Sequence, residues 1–224
     1  MPVNPDSSIE VTAFDWVPDF ARGFVRDLRP RWACEEIGLD YAEHLISAVN
    51  RPADHFLFQP WGQVPVLNDG GIRLFESGAI LLHLADKDER LMPREPQARA
   101  NTLAWLFAAY NSVEPMFMEL GEIDIFSADE EWAKLRRPGL IEFIQGRLGR
   151  LDDAIGDKPY LTGDFSVADI AMASVLREGI EAGLIAEQPR LQAYLDRCLA
   201  RPAFQRAMDA QLAAFSDEAG PGAG

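Results

Sequence analysis

Apolar and polar residues alternate from Ile9 to Phe14, with Ile9, Val11 and Ala13 set against Glu10 and Thr12, and this predicts a first strand. After a loop at Asp15–Asp19, the positions of Phe24, Leu28, Trp32 and Cys34 predict a helix over 20–37. Pro30 should kink or restart it, and Gly38 should close it. Residues 39–46 read as a second strand. Residues 47–61 are irregular around Pro52 and Pro60, with a short helix over 54–58. Two short apolar runs, Val64–Leu67 and Ile72–Phe75, flank Asn68-Asp69-Gly70-Gly71, a hairpin signal. The stripe Ile80, Leu81 and Leu84 then predicts a helix from Ser77 to about Lys87, with Ser77 as its N-cap.

Residues 91–97 carry Pro93 and Pro96 without periodicity and read as a linker. No strand pattern follows. A long apolar helix is expected over 99–120, an acidic loop over 121–131, and an amphipathic helix on Leu140, Ile141, Ile144, Leu148, Leu151 and Ile155. Ser166 and Asp169 are spaced as a capping box, and Phe165 and Ile170 as a hydrophobic staple. Further helices are expected over 189–199 and 202–215. The ends, 1–8 and the Gly-rich stretch from about 216, are expected to be disordered. The organisation read from this is an α/β unit over 1–90, the linker over 91–97 and an all-helical domain over 98–224.

Composition narrows the function. The chain has 224 residues, 48% of them hydrophobic and 25% charged, which suits a globular protein with a real core. A formal net charge of −15 disfavours nucleic acid and anionic membrane as partners. No apolar run is long enough to span a bilayer, and Met1–Asp6 lacks the basic and apolar regions of a signal peptide. Two cysteines, Cys34 and Cys198, are too few for a disulfide framework, so the cytoplasm is the expected compartment. His44, His55 and His83 lack metal-ligand spacing, so no metal is expected. The basic exception is Arg22, Arg26, Arg29 and Arg31. They either pair with nearby acids on a solvated helix face or help to hold an anion.

Gln63-Val64-Pro65-Val66-Leu67 followed by Phe75-Glu76-Ser77-Gly78-Ala79-Ile80 resembles the signature of the glutathione transferase family, and Ser166 to Ile170 resembles that family's N-capping motif. The resemblance covers about residues 9–215. It implies a thioredoxin-like N-terminal domain, a cis Val64–Pro65 peptide, an all-helical C-terminal bundle and a homodimer. It implies glutathione as co-substrate, held by Gln63, Val64, Pro65, Glu76 and Ser77. The Val64 backbone would pair with the cysteinyl unit, while Glu76 and Ser77 would hold the γ-glutamyl end. A carboxylate suits that end's ammonium, and a hydroxyl with helix N-terminal amides suits its carboxylate. The implied reaction joins the glutathione thiolate to a small apolar electrophile, a detoxification chemistry, with Trp105 and Tyr110 as electrophile-site residues and Met116 beside them.

Thiolate activation departs from the family's pattern. The loop Asp15-Trp16-Val17-Pro18-Asp19-Phe20-Ala21-Arg22-Gly23 contains no Tyr, Ser or Cys. Trp16 falls near the vacant position but cannot accept a proton. Arg22 with the N-terminus of the first helix is an electrostatic alternative, and Tyr110 is a third candidate. Cys34 reads as a buried small hydrophobe. His55 and Trp61 read either as contacts to the glycyl end or as packing residues. Two other readings stand beside the transferase: a ligand carrier or partner-binding module of the same fold, favoured by the vacant loop, and a thiol–disulfide reductase, weakened by the missing cysteine.

Overall fold

The computed structural model describes residues 3–221. The chain divides into two compact units, Met1–Met92 with Ala200–Gly224, and Pro93–Leu199.

The first unit is built on a sheet of four strands in the order β2-β1-β3-β4. These are β1 (Ile9–Phe14), β2 (Ala42–Ile46), β3 (Leu67–Asp69) and β4 (Ile72–Leu74). β1 and β2 run parallel and are joined by helix α1 (Leu28–Ile37), as a parallel pair requires a crossover. β3 is antiparallel to β1 and to β4. Helix α2 (Ser77–Ala85) follows, and the order is that of the expected thioredoxin-like unit. Asp69 pairs with Ile72, so the hairpin loop is only Gly70-Gly71, at φ 58° and 94°. Two positive φ values in a row are the type I′ geometry that matches strand twist, and glycine takes them without strain. Asn68 and Asp69 belong to the strand rather than the turn.

Several boundaries differ from the sequence expectation for local physical reasons. α1 starts at Leu28, after a single 3₁₀ turn at Asp19–Ala21. Pro30 thus sits in the first turn, where a missing N–H costs nothing. Of the apolar positions Phe24, Leu28, Trp32 and Cys34, the exposed Phe24 lies before the helix and had extended the expected stripe. Gly38 closes the helix in the left-handed region at φ 71°. Residues 3–8, expected to fray, are held. Asn4 N–H donates to the Tyr41 carbonyl at 2.8 Å, and the Ser7 hydroxyl donates to the Asp40 carbonyl at 2.8 Å. Met1 and Pro2 lie outside the described residues.

The chain's last helix, α8 (Pro202–Ala213), read from sequence as part of the helical domain, packs on α1 instead. Charge complementarity explains the pairing: Arg201 forks onto Glu36 at 2.6 and 2.7 Å, and Arg206 meets Glu35 at 2.6 Å. Phe204 stands edge-on to Trp32 at 4.8 Å between ring centroids. The segment after α8, expected to be disordered, also stays with this unit. The Ser216 N–H donates to the Asp15 carbonyl at 2.8 Å, and a 3₁₀ turn spans Asp217–Ala219. Residues 222–224 lie outside the described residues.

Asp69 ties the hairpin to α2. Its Oδ2 lies 2.6 Å from Lys87 Nζ and 2.6 Å from His83 Nε2. Those hydrogen bonds, from Lys87 first and His83 second, hold its carboxyl below the ordinary range. A depressed carboxyl contributes stability above its unfolded pKa of about 4 and loses it as pH falls through the folded value. Asp69→Asn should therefore lower stability at neutral pH and flatten its decline below about pH 4, as read from urea melts across the acid range.

The second unit is helical throughout its described elements: α3 (Pro96–Ala108), α4 (Glu114–Gly121), α5 (Glu131–Ile155), α6 (Val167–Leu176) and α7 (Pro189–Leu199). α3 starts three residues earlier than expected. Glu95 caps it, accepting from the Gln97 and Ala98 N–H groups at 3.0 and 2.6 Å, with Pro96 at N1. The long helix expected over 99–120 is broken by a π-helical turn at Ala109–Val113. Pro115, in the first turn of α4, cannot donate, and its ring would meet the carbonyl four residues back, so the helix widens there. A second π turn, Glu122–Phe126, takes up part of the expected acidic loop. α5 begins well before its amphipathic stripe, because Trp132 and Leu135 on its first turns are exposed. All ten residues of α6 are buried. Its capping box is formed as expected: Asp169 accepts from the Ser166 N–H at 2.9 Å and from the Ser166 hydroxyl at 3.0 Å.

Candidate functional site

The hairpin brings the two halves of the sequence motif to one end. Its ladder pairs Leu67 with Leu74, so continuing outward carries Val64–Pro65 and Glu76–Ser77 out on the same side. The Val64–Pro65 peptide is cis. The segment is anchored to β1 by the Thr12 N–H, which donates to the Val66 carbonyl at 2.8 Å. Val64 itself packs its side chain with Phe14, Val17 and Ile46. Its backbone N–H and carbonyl have no hydrogen-bond partner among the described residues. Buried backbone groups are nearly always paired, so this edge is set to receive an extended partner strand. Pro65 is buried, whereas the Gln63 side chain is exposed. His55, buried at 7% exposure, places its Nε2 2.7 Å from the Gln63 carbonyl and so fixes the approach to the cis bond. His55 thus helps to hold the loop. Trp61 is 66% exposed.

At the start of α2 the structure corrects one expectation. The N-cap is Glu76, not Ser77, and Ser77 is the first helical residue. Glu76 sits at φ 67°, ψ 114°, the one positive-φ residue other than glycine among the described residues. Such a conformation costs on the order of 1–3 kcal/mol and persists where the surroundings enforce it, often at functional sites. It leaves the Glu76 carboxylate exposed and without an ion pair among the described residues. Ser77 is buried at 5% exposure, and its Oγ accepts a hydrogen bond from Arg29 Nη1 at 3.1 Å. Glu76 and Ser77 therefore present a free carboxylate, a fixed hydroxyl and the amide end of a helix, a set that fits a group carrying both an ammonium and a carboxylate.

The weak candidates for thiol activation are placed less favourably. Arg22 forms ion pairs with Asp19 and Asp217, and its guanidinium lies over the Phe215 ring. Its charge is already matched by two carboxylates. The helix N-terminus proposed to assist it is not beside it, because α1 begins only at Leu28. That N-terminus carries the buried carboxylate of Asp27, held by Arg31 Nε and Gln211 Nε2, each at 2.7 Å. Trp16 is half-buried, and a Cβ added at Gly220 would meet its Nε1 at 2.7 Å, so the indole nitrogen is covered by Gly220. Trp105 on α3 and Tyr110 in the π turn are half-buried residues of the other unit.

The basic patch is not a solvated face. Arg31 is fully buried between Asp27 and Glu43, and Arg29 is 2% exposed. Sequence spacing gave no sign that Arg29 reaches Ser77, because the bond joins residues 48 apart. Cys34 is fully buried, and burial, with Glu35 next, pushes its thiol up to about 12. Only the thiolate attacks, so the folded protein should resist alkylation at Cys34 up to about pH 9, while the unfolded chain reacts readily. Mass spectrometry after a timed iodoacetamide pulse checks this.

Among the described residues no cluster of three or more His, Cys, Asp or Glu could hold a metal ion. No described helix is long and apolar enough to cross a membrane.

Residues 20–86 match the family model described as Glutathione S-transferase, N-terminal domain. Over 194 residues the chain is 28% identical to Glutathione S-transferase 1 of Zea mays, covering 78% of this chain and 86% of that one. It is 34% identical over 151 residues to the disulfide-bond oxidoreductase YfcG of Escherichia coli, covering 62% of this chain and 66% of that one. Among solved structures it resembles a glutathione transferase family member from Pseudomonas fluorescens Pf-5, crystallised with two glutathione bound. That match has a TM-score of 0.78 and 27% identity, and covers 89% of this chain and 92% of that one.

Proposed function

The chain belongs to the glutathione transferase family, and from that premise we propose that it binds glutathione on its first unit and transfers the thiolate to a small apolar electrophile. The observation that carries the proposal is the pairing of an unpartnered Val64 backbone edge with the Glu76–Ser77 start of α2 at the same end of the hairpin. The cysteinyl unit of glutathione adds to the Val64 edge as a short strand. Its γ-glutamyl ammonium meets Glu76, and its carboxylate meets Ser77 and the α2 amides. Gln63 and Pro65 flank that strand. Trp105 and Tyr110 are the candidates to touch the electrophile. The protein acts in the cytoplasm, in detoxification.

A second reading is glutathione-dependent thiol–disulfide exchange. It is favoured by the similarity to the E. coli oxidoreductase. Both protein thiols are buried, so the attacking sulfur would be that of glutathione. A glutathione thiolate bonds to one sulfur of the disulfide and expels the other as thiolate. The third reading, a carrier, predicts binding without either reaction. Assays with 1-chloro-2,4-dinitrobenzene and related apolar electrophiles, run beside hydroxyethyl disulfide, separate the three. Turnover of the first group supports the transferase, turnover of the disulfide alone supports exchange, and neither, with glutathione bound, supports the carrier.

The active form is a homodimer. Large apolar side chains stand exposed in each unit, among them Trp61 and Ile72 in the first and Phe107 and Phe126 in the second. Where such side chains join into one patch they mark an interface. Sedimentation at micromolar concentration should give twice the chain mass of 24.9 kDa; a single-chain mass contradicts the dimer.

A further inference from the structure

We propose that the segment Phe215–Gly220 is a strap closed over the loop Asp15–Gly23, and that glutathione binds more tightly when the strap lifts; the second half rests on the glutathione reading above. The strap meets the loop at several points. The Ser216 N–H donates to the Asp15 carbonyl at 2.8 Å. Asp217 pairs with Arg22, which also meets Asp19 at 3.4 Å. Gly220 lies on the Trp16 ring: an added Cβ would stand 2.7 Å from Nε1, 2.9 Å from Cε2 and 3.1 Å from Cδ1. Gly220 has φ −75°, which any residue adopts, so it is this close approach that calls for glycine.

The strap is held less firmly than the helix before it. Gln211, fully buried in α8, donates through Nε2 to the Val25 carbonyl at 3.0 Å and to Asp27 at 2.7 Å. Phe215 packs against the cluster of Phe14, Val17, Ile46 and Val64. Beyond Phe215 the strap rests on one backbone bond, an exposed ion pair and the glycine contact. An exposed pair is weak and screened by salt. Ser216–Gly220 can therefore lift while α8 and Phe215 stay in place.

Closure leaves a polar group unsatisfied. The Trp16 indole N–H has no hydrogen-bond partner among the described residues, and the glycine carbon covers it. A donor covered by carbon loses water without gaining a bond. Trp16 lies between Phe14 and Val17, whose side chains pack with Val64. Lifting the strap thus frees a donor on the loop that borders the Val64 edge. A ligand on that edge gains this donor only in the open form, and a ligand shifts an equilibrium by its difference in affinity for the two forms. Strap closure and glutathione binding are therefore opposed.

The test reads the strap and the ligand separately, on the full chain. With 5-fluorotryptophan the five tryptophans give five 19F resonances, and Trp16→Phe assigns one of them. Gly220→Val cannot seat its side chain on the indole, and should shift the closed–open ratio by about fivefold to a hundredfold. Asp217→Asn opens the strap by charge, by about 1.5-fold to fivefold. In both, the Trp16 resonance should move toward its solvent-exposed position while the other four stay. Calorimetry should show reduced glutathione binding Gly220→Val more tightly than the wild type, by up to the shift in that ratio, with Asp217→Asn between them. Trp16→Phe keeps a ring and lacks the N–H, so adding Gly220→Val to it should bring no gain. An unmoved Trp16 resonance in Gly220→Val overturns the proposal. A moved resonance with unchanged or weaker glutathione binding also overturns it while leaving the glutathione reading intact, and so does an equal gain in the Trp16→Phe background. No saturable binding of glutathione in any form overturns both.

Discussion

Ser77→Ala should weaken glutathione binding by about tenfold to a hundredfold, the value of a lost hydrogen bond to a charged group. Ser77 is not the N-cap of α2, so the substitution removes no capping bond. It does remove the oxygen that Arg29 grips, so the melting temperature should fall as well. Affinity is therefore the informative readout. Glu76→Gln keeps the side chain's shape and the backbone conformation and removes only the charge. It should weaken binding to a similar degree with little effect on melting. Glu76→Gly separates the two roles further. Glycine takes φ 67° freely. That variant should melt higher, by about 1 kcal/mol of relieved strain, yet bind worse. Unchanged affinity in all three variants would reduce this end of the hairpin to scaffold.

Asp169→Ala should cost about 3–5 kcal/mol, because it leaves buried donors without an acceptor at about 1–3 kcal/mol each. The Asp169 side chain is fully buried. One carboxylate oxygen accepts from the Leu161 N–H at 3.0 Å, and the other from the Ser166 N–H at 2.9 Å and the Ser166 hydroxyl at 3.0 Å. It thus closes the start of α6 and pins the incoming loop to it. A loss of that size is a large part of a typical domain's stability of about 5–15 kcal/mol. Asp169→Asn keeps one acceptor and should lose less. Urea denaturation followed by circular dichroism measures both. A loss below about 1 kcal/mol in Asp169→Ala would show that the loop finds other acceptors.

Strict local patterns were legible in the sequence. The alternation in Ile9–Phe14, the capping box at Ser166 and α7 appear as read, and the hairpin appears with its turn narrowed from Asn68–Gly71 to Gly70-Gly71. Each depends on residues within a few positions of one another. What the sequence hid depends on distant partners. α8 sits on α1 because arginines at 201 and 206 meet glutamates at 36 and 35. The segment after α8 is ordered by a bond from Ser216 to Asp15. No local pattern reports either. The π turn around Tyr110 follows from one proline whose effect runs backward along the helix. At the candidate site, Glu76 and Ser77 were legible as a motif and His55 as a candidate contact, but the bonds from Arg29 to Ser77 and from His55 to the Gln63 carbonyl were not. Arg29 looked like one of four similar arginines, and only its contact with Ser77 sets it apart.

The account turns on whether the first unit binds glutathione at the Val64 and Glu76–Ser77 end of the hairpin. Isothermal titration of the wild-type protein with reduced glutathione, repeated on Glu76→Gln, tests this most directly. The account predicts saturable binding at one site per chain in the wild type and a clearly weaker isotherm in the variant. The absence of saturable binding at millimolar glutathione, or an identical isotherm in Glu76→Gln, would contradict it.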